Sequence, residues 1–235
     1  MKLYKLRSLN NFERVLDIVL NERLYCSPFQ DLNDPFEGIF LAVSHLPPVM
    51  LQSKGTWRHG FRDVSGLYDY DQYNRVCSLS RSFKDIRLWS HYAEGHRGVA
   101  IEIDFAGHDK DIFPVEYLTE LKRYSNTILG SPFADEVLRH KTVHWKYEDE
   151  VRIVQAEPYY PVLGRITSVY LGARISEDHK CMLDKVLPDH IPMINTKIHE
   201  VTLEIVPDTL FQRKGSAAVC PQHSIVSHCD EPRNV

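Results

Sequence analysis

Apolar and polar residues alternate from the first positions of the chain. KLYKL, residues 2–6, has the two-residue period of a strand and ends at Arg7. The period then lengthens: Phe12, Val15, Leu16 and Val19 recur on one helical face, and Asn10 with Glu13 three residues on predicts a capping box at that helix's start. RLYCS (23–27) predicts a second short strand. PFQDLNDPFEG (28–38) is turn chemistry, with Asn33 and Asp34 bonding local backbone before Pro35. Residues 44–74, with Trp57, Phe61, Tyr68, Tyr70 and Tyr73, hold no clean period and read as helix fragments and loop. VCSLS (76–80) resumes a strand, and in KDIRLWSHYAEG (84–95) Ile86, Trp89, Tyr92 and Ala93 form a helical stripe closed by Gly95. GVAIEID (98–104), IFPVEY (112–117) and EVRIVQA (150–156) predict strands, and Ser131-Pro132 starts a helix through His140. ITSVYLGA (166–173) reads as a buried strand, Ser176 caps a helix ending at Pro188, and IHEVTLEIV (198–206) alternates like a half-buried strand. Helices interleave too irregularly for a doubly wound sheet. The expected fold class is therefore α+β, one domain over 1–212 with a mixed or antiparallel central sheet and flanking helices, then a flexible tail over 213–235.

Composition narrows the partners more than the fold. With 43% hydrophobic and 26% charged residues the chain is ordinary for a globular protein, and a formal net charge of −4 supplies no global basic field for a polyanion. Nucleic-acid contact would have to rest on a local patch. The opening MKLYKLRSLNNFERV breaks its apolar residues with charge, unlike a signal peptide, and no apolar run approaches membrane-spanning length, so a cytoplasmic location is expected. The 5 cysteines are scattered and odd in number, which suits reduced thiols better than a disulfide framework. Cys220, His223, His228 and Cys229 are zinc-competent types without the paired spacing of a finger, so no metal is expected.

Candidate chemistry gathers in WSHYAEGHRG (89–98), where Trp89, His91, Tyr92, Glu94, His96 and Arg97 crowd the mouth of a strand. LYKLRSL, RLYCSPFQDLNDPFE, VCSLSRSFKDIRLWSHYAEGHRGVAIEID, HWKYEDEVRIV and VYLGARISEDHK, in this order, resemble a bacterial family catalogued as domain of unknown function 2971. That name carries no activity. Beneath it lies a remote similarity to ADP-ribosyltransferases. LYKLRSLNNFERVLDIVLNERLYCSP resembles that fold's opening, a strand ending in Arg, a helix, then a short strand ending in small polar residues; YEDEVRIV resembles its Glu-x-Glu segment.

The resemblance implies NAD as substrate, with transfer of ADP-ribose or hydrolysis, in a bacterial toxin or phage-defence effector. Cleaving the nicotinamide–ribose bond passes through an oxocarbenium-like state that a carboxylate stabilises. Glu150 is the candidate for that carboxylate, and Glu148 for orienting or deprotonating the acceptor, which would be nucleic acid, protein or water. Arg7 would grip the diphosphate, Ser27 the nicotinamide ribose or Glu150, and Trp89 or Tyr92 would stack on nicotinamide beside His91. Plainer roles stand alongside: Arg7 as a surface ion-pair residue, Glu150 and Arg152 as a solvent-facing pair, Trp89 and Tyr92 as core. Two other functions are carried: a non-catalytic RNA- or protein-binding module using the Trp89–Arg97 surface, and a metal-independent hydrolase on His91, His96 and Asp104. The transferase reading requires that segments ending at Arg7, passing through His91 and Tyr92, and beginning at Glu150 share one cleft.

Overall fold

Leu3, Lys5 and Arg7 face one side of the first strand while Tyr4 and Leu6 face the other, and each side meets its own apolar layer. The computed structural model describes residues 1–43, 62–66, 74–125 and 134–213. In chain order its strands are β1 (Lys2–Arg7), β2 (Arg23–Tyr25), β3 (Ser27–Pro28), β4 (Ile39–Val43), β5 (Arg62–Gly66), β6 (Arg75–Ser80), β7 (Val99–Asp104), β8 (Phe113–Pro114), β9 (Glu116–Leu118), β10 (Arg123–Ser125), β11 (His140–Thr142), β12 (Glu150–Gln155), β13 (Tyr159–Pro161), β14 (Arg165–Leu171), β15 (Met193–Ile198) and β16 (Ile205–Leu210). The α-helices are α1 (Phe12–Val19), α2 (Ile86–Tyr92), α3 (Ala134–Val137) and α4 (Glu177–Val186). Among these residues no helix is long and apolar enough to cross a membrane.

The central sheet runs β16-β15-β14-β7-β1-β6-β12-β8, with β3 also on β6. Only β14 and β15 pair in parallel within it, so the sheet is mixed, as the alternation implies. Val15, Ile18 and Val19 of α1 bury against Leu3, Leu79, Ile101 and Val151; Leu88 and Trp89 of α2 pack with Leu6, Phe83 and Ala100 in a separate cluster. Strand β1 pairs with β7 over its whole length, Lys2 opposite Asp104 to Arg7 opposite Val99, but with β6 only at Tyr4 opposite Ser80. The far end of β6 is taken by β3, with Ser27 opposite Val76. The sheet therefore opens between β1 and β6.

Several local expectations change. The cap of α1 is Asn11, with no side-chain bond, and Ser8 Oγ instead takes the Asn10 N–H. In α2 Asp85 caps by accepting the Arg87 N–H at 2.8 Å, and Leu88 rather than the exposed Ile86 completes the buried stripe. Of the helix expected from Ser131 to His140, α3 covers Ala134–Val137 and His140 begins β11; residues 131–133 lie outside the described ones. IFPVEY divides into β8 and β9. IHEVTLEIV is mostly the turn between β15 and β16: His199 Nδ1 takes the Thr202 N–H, and Leu203 is left-handed at φ 58°. Residues 44–61 and 67–73 and the Cys220–Cys229 tail fall outside the described residues, while 62–66 are strand. Cys26 and Cys77 are free and buried.

WSHYAEGHRG turns sharply because Glu94, Gly95 and His96 are all left-handed, with φ of 52°, 60° and 70°. Two glycines let this turn sit under the end of β1. A Cβ at Gly98 would lie 2.1 Å from the Arg7 carbonyl oxygen, and one at Gly172 would lie 2.3 Å from that of His96.

Candidate active site

Past the Tyr4–Ser80 pair the gap between β1 and β6 becomes a cleft of about 360 Å³. Arg7, Ser27, His91, Tyr92, Glu148 and Glu150 all line it, so the segments singled out in the sequence converge. Lys5 reaches across the gap and donates from Nζ to the Ser78 carbonyl at 2.5 Å. Arg7 leaves its Nε without a hydrogen-bond partner, and neither cation has a carboxylate partner among the described residues. Burial pulls both below their ordinary pKa values, outweighing the opposing pull of the neighbouring Cys77 thiol.

The opposite wall is a chain of buried charges. Lys141 Nζ bridges Glu148 Oε2 and, at 3.1 Å, Glu150 Oε2. Arg152 Nε donates to Glu150 Oε1 at 2.8 Å, while its two terminal nitrogens hold Glu37 in a bidentate pair. Tyr92 OH donates to Glu148 Oε1 at 2.6 Å, and the Glu150 N–H donates to Tyr117 OH at 2.7 Å. The environments of the two glutamates diverge. Burial would raise Glu150, but Arg152 and Lys141 outweigh it and hold the carboxyl down to about 2. Burial prevails at Glu148, raising it despite Lys141 and Tyr92. Such a divided pair suits one permanently ionised group and one that exchanges a proton.

Not every anticipated residue reaches the cleft. Trp89 is fully buried, donates from Nε1 to the Phe83 carbonyl at 2.6 Å and belongs to the core, leaving Tyr92 as the ring in the cleft wall. His91 is exposed at the rim. His96 stacks on Trp89, with ring centroids 6.3 Å apart, and Arg97 turns back to the Glu94 carbonyl. The crowding of WSHYAEGHRG is thus mainly a turn packed on its own helix. Asp104 bonds the N-terminal amine at the end of β7 away from that turn, so His91, His96 and Asp104 do not assemble. Asn33 donates weakly to Tyr92 OH, at 3.4 Å, whereas Asp34 bonds the Phe36 N–H as its turn chemistry implies.

Lys5, Glu37 and Lys141 escaped the sequence reading, and the Glu150–Arg152 pair, weighed there as solvent-facing, is buried. Arg152 carried a signal: Glu150 and Arg152 are two apart and face the same way on a strand whose neighbours are apolar, so a charge pair was to be buried. Lys5 shares its face with Arg7 by the same rule. No family model, curated protein or solved structure matches this chain.

Proposed function

We propose that the cleft binds NAD and cleaves its nicotinamide–ribose bond, passing ADP-ribose to an acceptor or to water. The observation that carries this reading is one cleft with Lys5 and Arg7, neither of which has a carboxylate partner among the described residues, on one wall and the divided Glu148–Glu150 pair on the other. The two cations suit a diphosphate, with the planar guanidinium of Arg7 supplying paired donors. Tyr92 gives a ring wall for nicotinamide, and Ser27 a hydroxyl for the ribose. Glu150 accepts from Arg152, Lys141 and Ser78, and in the cleft lining its carboxylate is the acceptor proposed for a ribose hydroxyl. Three carboxylates against two cations leave one net negative charge in this wall when Glu148 is ionised, which favours a developing oxocarbenium. The C1′–N bond breaks with its electron pair passing to nicotinamide; the acceptor bonds to C1′ and its proton goes to Glu148.

The test is NAD turnover by purified protein. Glu150→Gln is expected to lose at least about tenfold of the hydrolysis rate while remaining folded, and Glu148→Gln to impair transfer more than hydrolysis. Equal turnover by wild type and Glu150→Gln would end the assignment.

A further inference from the structure

A second hollow, of about 290 Å³, adjoins the cleft mouth. Its lining combines the Pro35-Phe36 turn with His91, His144, Trp145 and Tyr147. The rings of His91, Trp145 and Tyr147 stand 6.1–6.4 Å apart at tilted angles, forming a concave aromatic surface. Phe36 is 51% exposed. Arg87 lies 3.9 Å over Tyr147 but is paired with Asp85, Lys141 lies 4.5 Å over Trp145 but is buried between Glu148 and Glu150, and Lys146 is exposed between the two rings in sequence. Asp34, the acid of the lining, is buried and engaged by the Phe36 and Thr142 backbone N–H groups.

We propose that this hollow holds a base of a single-stranded nucleic acid as the ADP-ribose acceptor, a role that rests on the transferase reading above. Faces of Trp, Tyr and His offer stacking to any base, and the exposed Lys146 suits a phosphate beside it. The hollow is also placed for transfer. His91 lines both hollow and cleft, and Glu148 lines the cleft beside Tyr92, so a base held in the hollow adjoins the cleft that contains the proton acceptor. The amine or ring nitrogen of the base bonds to C1′, nicotinamide leaves with the electron pair of the broken bond, and the displaced proton passes to Glu148 and then solvent.

Binding of a short, labelled, mixed-sequence single strand, read by fluorescence anisotropy, tests the site separately from NAD chemistry. Trp145→Ala and Phe36→Ala are each expected to weaken binding by about tenfold or more, and Trp145→Phe to restore most of it. Unchanged binding in both alanine variants, or failure of Trp145→Phe to rescue, overturns the site. With labelled NAD, the label is expected on the strand; label on added protein or on free nucleotides alone overturns the acceptor assignment. If the strand binds through Trp145 but NAD is never consumed, the base site stands, and the transferase reading and acceptor role both fall.

Discussion

Glu148 and Glu150 are separated by a single residue, yet Asp149 between them is left-handed, at φ 41°, and turns the two side chains into one buried cluster. Their titrations have opposite signs. Glu150 lies below the ordinary value of 4.5, so its contribution to stability is complete above pH 4.5 and is lost as pH falls toward 2. Glu148 lies above its ordinary value, and the stability it favours is lost as pH rises through that folded value. Acid unfolding of Glu150→Gln should therefore lose the steep loss of stability between pH 4.5 and 2 seen in wild type, as followed by circular dichroism. NAD turnover should rise with pH as Glu148 deprotonates, at a value above 4.5, and Tyr92→Phe should move that limb upward because the Tyr92 hydrogen bond lowers Glu148. A limb that stays in place would remove Glu148 as the base. At this scale the segment order anticipated that Arg7, Ser27, Tyr92 and both glutamates line one cleft, and no more than that. It said nothing of Glu37, whose bond to Arg152 spans 115 positions and appears only when the turn after β3 folds back onto β12.

Elements were legible where one apolar stripe met one face of the sheet. β1, α1 and α2 fall close to where their periods place them. The β15–β16 region was not, because a hairpin turn with exposed Val201 and Leu203 carries the same alternation as a half-buried strand. Helix α2 divides its aromatic pair by depth: Trp89 fills the layer beneath β1, and Tyr92 closes the cleft. Trp89→Ala should cost about 3–5 kcal/mol through the cavity it leaves, whereas Tyr92→Ala should cost less stability and more ligand affinity. Chemical denaturation of the two variants checks this, and the reverse ranking would exchange their roles.

For the molecule as a whole, the decisive feature is that β6 cannot pair with β1 and β3 along the same stretch of edge. Strand competition of this kind depends on contacts far apart in sequence, so no local pattern announces the cleft. Ligand binding should then act as a clamp across the opening. ADP-ribose is expected to raise the melting temperature in a concentration-dependent way, and Arg7→Gln to remove most of that shift. An equal shift in both proteins would place the diphosphate elsewhere. The anion grip is separable from the carboxylate wall because they stand on different sides of the split.

The two glycines beneath β1 give that separation a further use. Arg7 owes its charge to its own side chain, but its backbone rests on Gly98, which Gly172 in turn holds in place through a 2.9 Å bond from its N–H to the Gly98 carbonyl. Even a methyl group at position 98 would press on the Arg7 carbonyl and shift the strand end, altering the span between cation and carboxylate while every group facing the ligand keeps its identity. Reach and chemistry are thus independent variables in this cleft, and drift at two residues that touch no ligand could retune which length of diphosphate ligand it accepts.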